Sequence, residues 1–561
     1  MKSKMFVGSE NYDEIITQNG YFVDKTELMY ELVAETSNKV TLFTRPRRFG
    51  KTLTMNMMES FFDIRRDSKK VFEGKNIMNH PEFCSEYMNQ YPVVFLTFKD
   101  VDGKNFDEAY DMIVARISSL FKKHAYLINE ANAPKVDKDD IAIFQKIKAQ
   151  DEKLKISEIK NSIDTLMRMM NAVYGKPVIL LIDEYDVPLA KASAKSYYRE
   201  MLDVIRGILS TSLKTNDFLN FAVVTGCLRI PKESIFTGVN NFASYSVLDE
   251  DFSQYFGFTE TEVKKLLADF GFSDKADIIK EWYDGYLFGE TEVYCPWDVV
   301  SYIAALLKRK NAQPKIYWVN TGGHEAISAF FEMDDVDISD RFETLLNGGT
   351  ITETVSTSLT YEGAYDTILN LWSVLLMTGY VTTVRQEGTS DDDETAIVEL
   401  RIPNTEVSKI FQSAVVAHFK KTVDRTQITN LMNALWNGNT DEASEILSTL
   451  LWMTISFNDY KEDYYHAFLA GIFVGRGGYS VDSNKERGLG KPDIDLRDKR
   501  NKRAIIIEAK ISKSEKSMAY WCNKALKQIQ DNEYALHLKE YEQVLRYGIA
   551  FYKKKVMIKK M

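Results

Sequence analysis

Apolar residues along this chain fall into two patterns: short continuous runs, and longer stretches in which they recur every three or four positions. NKVTLFT at 38–44, YPVVFLTF at 91–98, KPVILLID at 176–183 and FLNFAVVTG at 218–226 are of the first kind. Such runs predict strands, and a run as apolar as Val178–Ile182 predicts one buried on both faces of a parallel sheet. Residues 106–175 are amphipathic and predict helices. After residue 44 a turn leads into a helical pattern through Met55, Met57, Met58 and Phe61, so this region reads as strand, loop, helix. The expected class is α/β. From about 250 to 455 the pattern turns mostly helical. Within it, 365–403 reads as a helix, YDTILNLWSVLLMTG, and a hairpin whose loop, Asp391 to Glu394, is strongly acidic. Strands return at 478–496 and at AIIIEAKIS, 504–512, joined by a charged turn.

At 561 residues and 45% hydrophobic content, the chain exceeds what one core usually spans, so two to four domains are expected. No apolar run reaches the roughly 18 residues of a membrane span, and the N-terminus lacks an apolar signal region, so a cytoplasmic location with no membrane is expected. Cys84, Cys227, Cys295 and Cys522 are scattered without zinc spacing and read as reduced structural thiols. Net charge is −10, but residues 491–561 carry 18 Lys and Arg against 9 Asp and Glu. One end is basic and the rest acidic. That asymmetry is either a solvated surface or the footprint of phosphate-backbone binding.

Candidate chemistry begins at RPRRFGKT, 45–52. Gly50, Lys51 and Thr52 supply the second half of a phosphate-binding loop, in which backbone N–H groups cradle phosphates, the Lys neutralises them and the hydroxyl reaches Mg²⁺. The first Gly is replaced by Arg45, and Pro46 has no N–H to donate. Arg45, Arg47 and Arg48 are expected to compensate with guanidinium contacts to phosphate. The strand 178–183 ends in Asp183 and Glu184, where sheets of this class place ligands. Asp183 is expected to hold Mg²⁺ through water and Glu184 to polarise the attacking water. Thr225 and Arg229, at and beyond the end of the fourth strand, are candidates to sense and pair with the γ-phosphate.

At the other end, alternation puts Asp493 and Asp495 on one face of a strand, and Glu508 and Lys510 on one face of the next. One face of the hairpin can therefore carry the acids of a divalent-metal site and an amine. Hard carboxylate oxygens there would hold Mg²⁺ or Mn²⁺, and an ammonium would orient a water nucleophile.

With these residues go YFVDKTEL at 21–28, TGCLRIPKESIFTGVNN at 225–241, EWYDGYLFG at 281–289, YCPWDV at 294–299, WVNTGG at 318–323, LLMTGYVT at 375–382 and IPNTEV at 402–407. Together they resemble the bacterial and archaeal AAA-ATPase-like proteins that end in a PD-(D/E)XK nuclease-like domain. The resemblance covers nearly the whole chain, and Arg in place of the first Gly is what that family shows. It implies an ATPase-like domain at 1–250, a helical lid and winged-helix-like region at 251–455, and a nuclease-like domain of restriction-endonuclease type at 456–561. Pro492-Asp493 and Glu508-Ala509-Lys510 then form the signature, which implies Asp493 and Glu508 as ligands of Mg²⁺ or Mn²⁺ and Lys510 as the ammonium that orients the water. Ala509 offers its carbonyl, Gln528 of ALKQI points back to the site, YHAFLAG at 465–471 is the first helix and Glu486 is an extra acid. Implied cofactors are ATP and Mg²⁺, with Mn²⁺ an option at the second site. Implied partners are nucleic acid, DNA more than RNA, with room for a homo-oligomer. The implied activity is an ATPase controlling a nuclease, in a setting such as defence. The alternative is a nucleotide-operated switch that holds nucleic acid or a partner protein without cutting.

Overall fold

The structure, a computed structural model, describes residues 3–561 except 35, 231–235, 237–238, 240, 319–326, 328–340, 343, 347, 390–394, 423–424, 455–461, 474–478 and 484–489. Glu486 and the acidic loop 391–394 therefore lie outside the described residues. The chain divides into two compact units, one of residues 1–321 and 352–406, the other of 322–351 and 407–561. The stretch 251–455 is thus shared between them.

The first unit is built on five parallel strands: β1 (Val40–Thr44), β2 (Val93–Thr97), β3 (Val178–Asp183), β4 (Leu219–Gly226) and β5 (Phe242–Tyr245), in the order β2-β3-β4-β1-β5. Val40, Leu42, Val94, Leu180, Ile182 and Val224 pack on one side of the sheet, and Phe43, Val93, Ile179, Leu181 and Val223 on the other. Burial on both faces is why these segments read as continuous apolar runs. The loop after β1 leads into helix α1 (Lys51–Phe62). Because β4 lies between β1 and β3, its last residues sit between that loop and the end of β3. The strand order thus assembles the site.

Farther along, α2 (Ile368–Thr378) precedes an antiparallel pair, as expected, but the sheet has three strands. β6 (Ile351–Ser356) joins β7 (Thr382–Thr389) and β8 (Thr395–Arg401) in the order β6-β8-β7. β6 alternates polar and apolar residues, ITETVS, and its first four residues alternate buried and exposed, a half-buried strand inside a region whose overall composition reads helical.

In the second unit, helix α3 (Glu462–Phe473) precedes a five-stranded mixed sheet, ordered β9-β10-β11-β12-β13. Its strands are β9 (Ser480–Ser483), β10 (Ile494–Asp498), β11 (Arg503–Ile511), β12 (Gln543–Tyr552) and β13 (Lys555–Lys560). Only β11 and β12 are parallel, and helix α4 (Met518–Asp531) makes their crossover. All four cysteines are free and buried. Among the described residues, no helix is long and apolar enough to cross a membrane.

Candidate functional site

Gly50 occupies the left-handed region (φ +90°), and nothing lies within 4 Å of where a Cβ on it would sit. Conformation, and not crowding, is what calls for glycine there. The following helix α1 starts without a side-chain cap, leaving its first N–H groups turned to the loop, an arrangement suited to an anion. Lys51 is buried, and its Nζ donates to the carbonyls of Arg45 (2.9 Å) and Pro46 (3.0 Å), which hold the ammonium across the loop.

Asp183 ties the site together. Its Oδ2 accepts from Thr52 Oγ1 at 2.9 Å and from Thr97 Oγ1 at 3.3 Å, and its Oδ1 accepts from Thr225 Oγ1 at 2.7 Å. Burial raises its pKa, while the hydroxyls and Lys51 pull the other way. Hydrogen bonds to a charged acceptor contribute about 1.5–3 kcal/mol each, so this knot fixes β2, β3, β4 and α1 relative to one another. Glu184 follows with φ +52°, a left-handed conformation costly for a non-glycine residue. Its carboxyl is also raised, by burial first, with the Lys51 charge opposing.

The three arginines have different fates. Arg45 N donates to Gly226 O at 3.1 Å, so the residue continues β1, and alternation turns its side chain into the core. There its Nη1 donates to Thr44 O and Tyr245 O (3.0 and 2.8 Å), and Cζ lies 5.2 and 5.5 Å from the Phe256 and Phe288 rings. Burial lowers its pKa to about 10. The expected phosphate contact gives way to a packing role. Arg48 (φ +70°) also turns away: Nη1 donates to Tyr317 O at 3.2 Å and Cζ lies 4.0 Å from the Trp297 ring. That stack, worth roughly 0.5–2 kcal/mol, offsets its backbone strain. Arg47 is the one facing the acids. Burial works against its charge, but Cys227, Tyr361, Glu184 and Asp186 raise its pKa. Arg229 lies beyond β4, its carbonyl accepting from Leu359 N and its Nε buried without a hydrogen-bond partner.

The C-terminal site is built on two paired strands. Ile494 pairs with Ile507, so Asp493 stands opposite Glu508. Asp493 Oδ2 accepts from Ala509 N at 2.6 Å, while His466 of α3 places Nε2 3.1 Å from Oδ1. Glu508 is buried; Oε1 accepts from Lys510 Nζ at 3.1 Å, and Oε2 has no hydrogen-bond partner. Burial, then the Asp493 charge, pushes its pKa up to about 7. Asp495, two residues on, pairs instead with His537 (2.8 Å). Gln528 donates to Tyr534 Oη at 3.3 Å.

Comparison with known proteins finds two family matches, one at each end of the chain. Residues 6–236 match the family described as predicted AAA-ATPase, and 460–561 match the PD-(D/E)XK nuclease superfamily. The chain joins an AAA-ATPase-like domain to a PD-(D/E)XK nuclease superfamily domain. An uncharacterized protein from the vnfD 5′ region of Azotobacter chroococcum is 27% identical over 323 residues, 57% of this chain and 54% of that protein. The chain thus spans about half the length of this curated relative. A crystal structure of a Signal Transduction ATPase with Numerous Domains protein with a tetratricopeptide repeat sensor, from Pyrococcus horikoshii, shares 11% identity. It covers 85% of this chain and 57% of its own, with a TM-score of 0.23.

In the ATPase-like domain, the paired hydroxyl and carboxylate of Thr52 and Asp183 are hard oxygen donors that fit Mg²⁺, and Lys51 with the open start of α1 fits a polyphosphate. In the nuclease-like domain, the orphaned Glu508 Oε2 beside Asp493 fits a divalent cation. Sequence reasoning missed several neighbours. Asp186 Oδ2 accepts from Cys227 N, Leu228 N and Tyr361 Oη at 2.8, 3.0 and 2.8 Å, binding the end of β3 to the residues past β4. It was legible only as a third acid in LLIDEYDVPL. Glu406 takes Tyr317 N and Trp318 N on one oxygen, next to buried Asp298; its pKa is pushed up to about 9 by burial and by Asp298. It therefore braces the segment that holds Arg48. His466, inside the quoted YHAFLAG, is brought to Asp493 by α3 alone.

Proposed function

We propose that the chain is a nucleotide-operated nuclease. ATP would bind at the loop 45–52, where Lys51 would neutralise its phosphates and Thr52 and Asp183 would hold Mg²⁺. Thr225, Arg47 and Arg229 line the γ-phosphate side. Glu184, just past the end of β3 and with its carboxyl pKa raised by burial, accepts a proton from the attacking water. In the nuclease-like domain, Asp493 and Glu508 would hold Mg²⁺ or Mn²⁺, which lowers the pKa of bound water and stabilises charge on a scissile phosphate. Lys510 orients the nucleophile, and the basic balance of 491–561 favours a nucleic-acid substrate. Nucleotide state then governs cutting, in a setting such as defence.

The observation that carries this reading is the juxtaposition of Asp493, Glu508 and Lys510, with Asp493 Oδ2 bonded to Ala509 N across the strand pair. A cleavage assay on purified protein tests it, with DNA and RNA, Mg²⁺ or Mn²⁺, and with or without ATP. Metal-dependent cutting that disappears in Asp493→Ala supports the nuclease. A second reading, a switch that holds nucleic acid or a partner without cutting, draws on a specific observation: Asp493 and Glu508 each have a nitrogen neighbour of the chain itself, the His466 imidazole and the Lys510 ammonium. Binding without cleavage across all metals and nucleotides favours it.

A further inference from the structure

Helix α4 carries a surface that the hydrolytic chemistry does not use. Met518, Cys522, Ala525, Leu526 and Ile529 are its buried face. Lys516, just before the helix, and Tyr520, Asn523, Lys524 and Lys527 form an exposed stripe at helical spacing. Tyr520 is 64% exposed, more than any other large hydrophobic among the described residues. Its ring meets Trp521 edge-on, centroids 5.6 Å apart, and Lys524 Nζ lies 4.6 Å from the Trp521 ring. Lys559 of β13 adds a further cation, 3.4 Å from Asn523 Oδ1.

The helix that carries this stripe lies beside the acids, with its buried face, opposite the stripe, on the neighbouring strand. Gly548 and Ala550 are the register partners of Glu508 and Lys510. A Cβ on Gly548 would come 2.3 Å from Cys522 O, and Ala550 packs with Met518 and Cys522. The first turns of α4 therefore cover the strand next to Glu508 and Lys510. Trp521 shares a side of the helix with Gln528, seven residues on.

An exposed tyrosine with a half-buried tryptophan at its edge, among ammonium groups, matches unpaired nucleotides, whose bases stack on rings while their phosphates meet cations. A duplex offers the same phosphates but keeps its bases stacked on each other. We propose that Tyr520 and Trp521 form a stacking platform that leads single-stranded nucleic acid, or an unpaired end, into the Asp493–Glu508–Lys510 site. This rests on the nuclease reading of that site.

Fluorescence anisotropy with full-length protein in EDTA tests it, using labelled single-stranded DNA, single-stranded RNA of the same sequence and a blunt DNA duplex. Tyr520→Leu keeps bulk at an exposed position and should weaken single-strand binding about fivefold or more, with duplex binding unchanged. Tyr520→Phe should bind as the parent does, because the ring and not the hydroxyl stacks. Loss on either strand supports the platform and names the polymer. Unchanged single-strand binding by Tyr520→Leu, or an equal loss on the duplex, overturns it while leaving the nuclease reading standing. A parent that binds no single strand overturns the platform, and metal-dependent cutting by the same protein then keeps the nuclease reading standing.

Discussion

The two sites handle buried acids in opposite ways. In the ATPase-like domain, both oxygens of Asp183 are met by threonine hydroxyls, and the nearby Lys51 is held by two backbone carbonyls. Neutral groups hold the geometry. In the nuclease-like domain, two buried carboxylates stand opposite each other, one Glu508 oxygen has no hydrogen-bond partner, and Glu508 is pushed up to about 7. An unsatisfied buried acceptor costs about 1–3 kcal/mol. The first site is preorganised by its own scaffold, whereas the second sets two buried carboxylates together with the Lys510 ammonium bonded to one oxygen of Glu508, a donor set that fits a divalent cation.

The largest expected effects separate the domains. Asp493→Ala or Glu508→Ala should eliminate Mg²⁺- or Mn²⁺-dependent cleavage while ATP affinity by calorimetry stays at the parental value; loss of both functions would break the contrast. Lys51→Ala should weaken ATP binding by about a hundredfold, since it removes the charge beside the β- and γ-phosphates. Glu184→Gln should keep ATP bound and slow its hydrolysis by about a hundredfold or more, measured as phosphate release. A Glu184→Gln protein with parental turnover would show that another group activates the water.

The arginines sharpen the comparison further. Because Arg45 is packed against Tyr245, Phe256 and Phe288, Arg45→Ala should lower the melting temperature. Arg47→Ala should leave stability nearly unchanged and weaken ATP binding severalfold. The reverse pattern would restore Arg45 to the phosphates. Smallest is Glu406→Gln. With its pKa raised from 4.5 to about 9, Glu406 contributes stability that is complete below about pH 4.5 and lost as pH rises through 9. Buried Asp298, raised to about 6, loses its share earlier in the same range. Glutamine, which resembles the protonated acid, should match the parent below about pH 4.5 and flatten the fall in melting temperature between there and pH 9.

The continuous apolar runs made β1 to β4 legible, since only buried parallel strands need them. Thr52 and Asp183 were legible as motif positions, and the structure puts them 2.9 Å apart. The orientation of Arg45 was not legible: spacing marks it as a loop residue, and only its backbone bond to Gly226 makes it the last step of β1. His466 and Asp493, or Asp186 and Tyr361, meet through packing between distant segments, and neither pair leaves a spacing signal. β6 was hidden because a single half-buried strand is outweighed by the helical residues around it.

The most direct test of a nucleotide-operated nuclease is one cleavage assay on purified full-length protein, with Mn²⁺ present and ATP present or absent, run on the parent, Lys51→Ala and Asp493→Ala. The account predicts cutting by the parent whose rate changes with ATP, cutting by Lys51→Ala that ignores ATP, and none by Asp493→Ala. No cutting by the parent in any state, or cutting by Asp493→Ala at the parental rate, would contradict it.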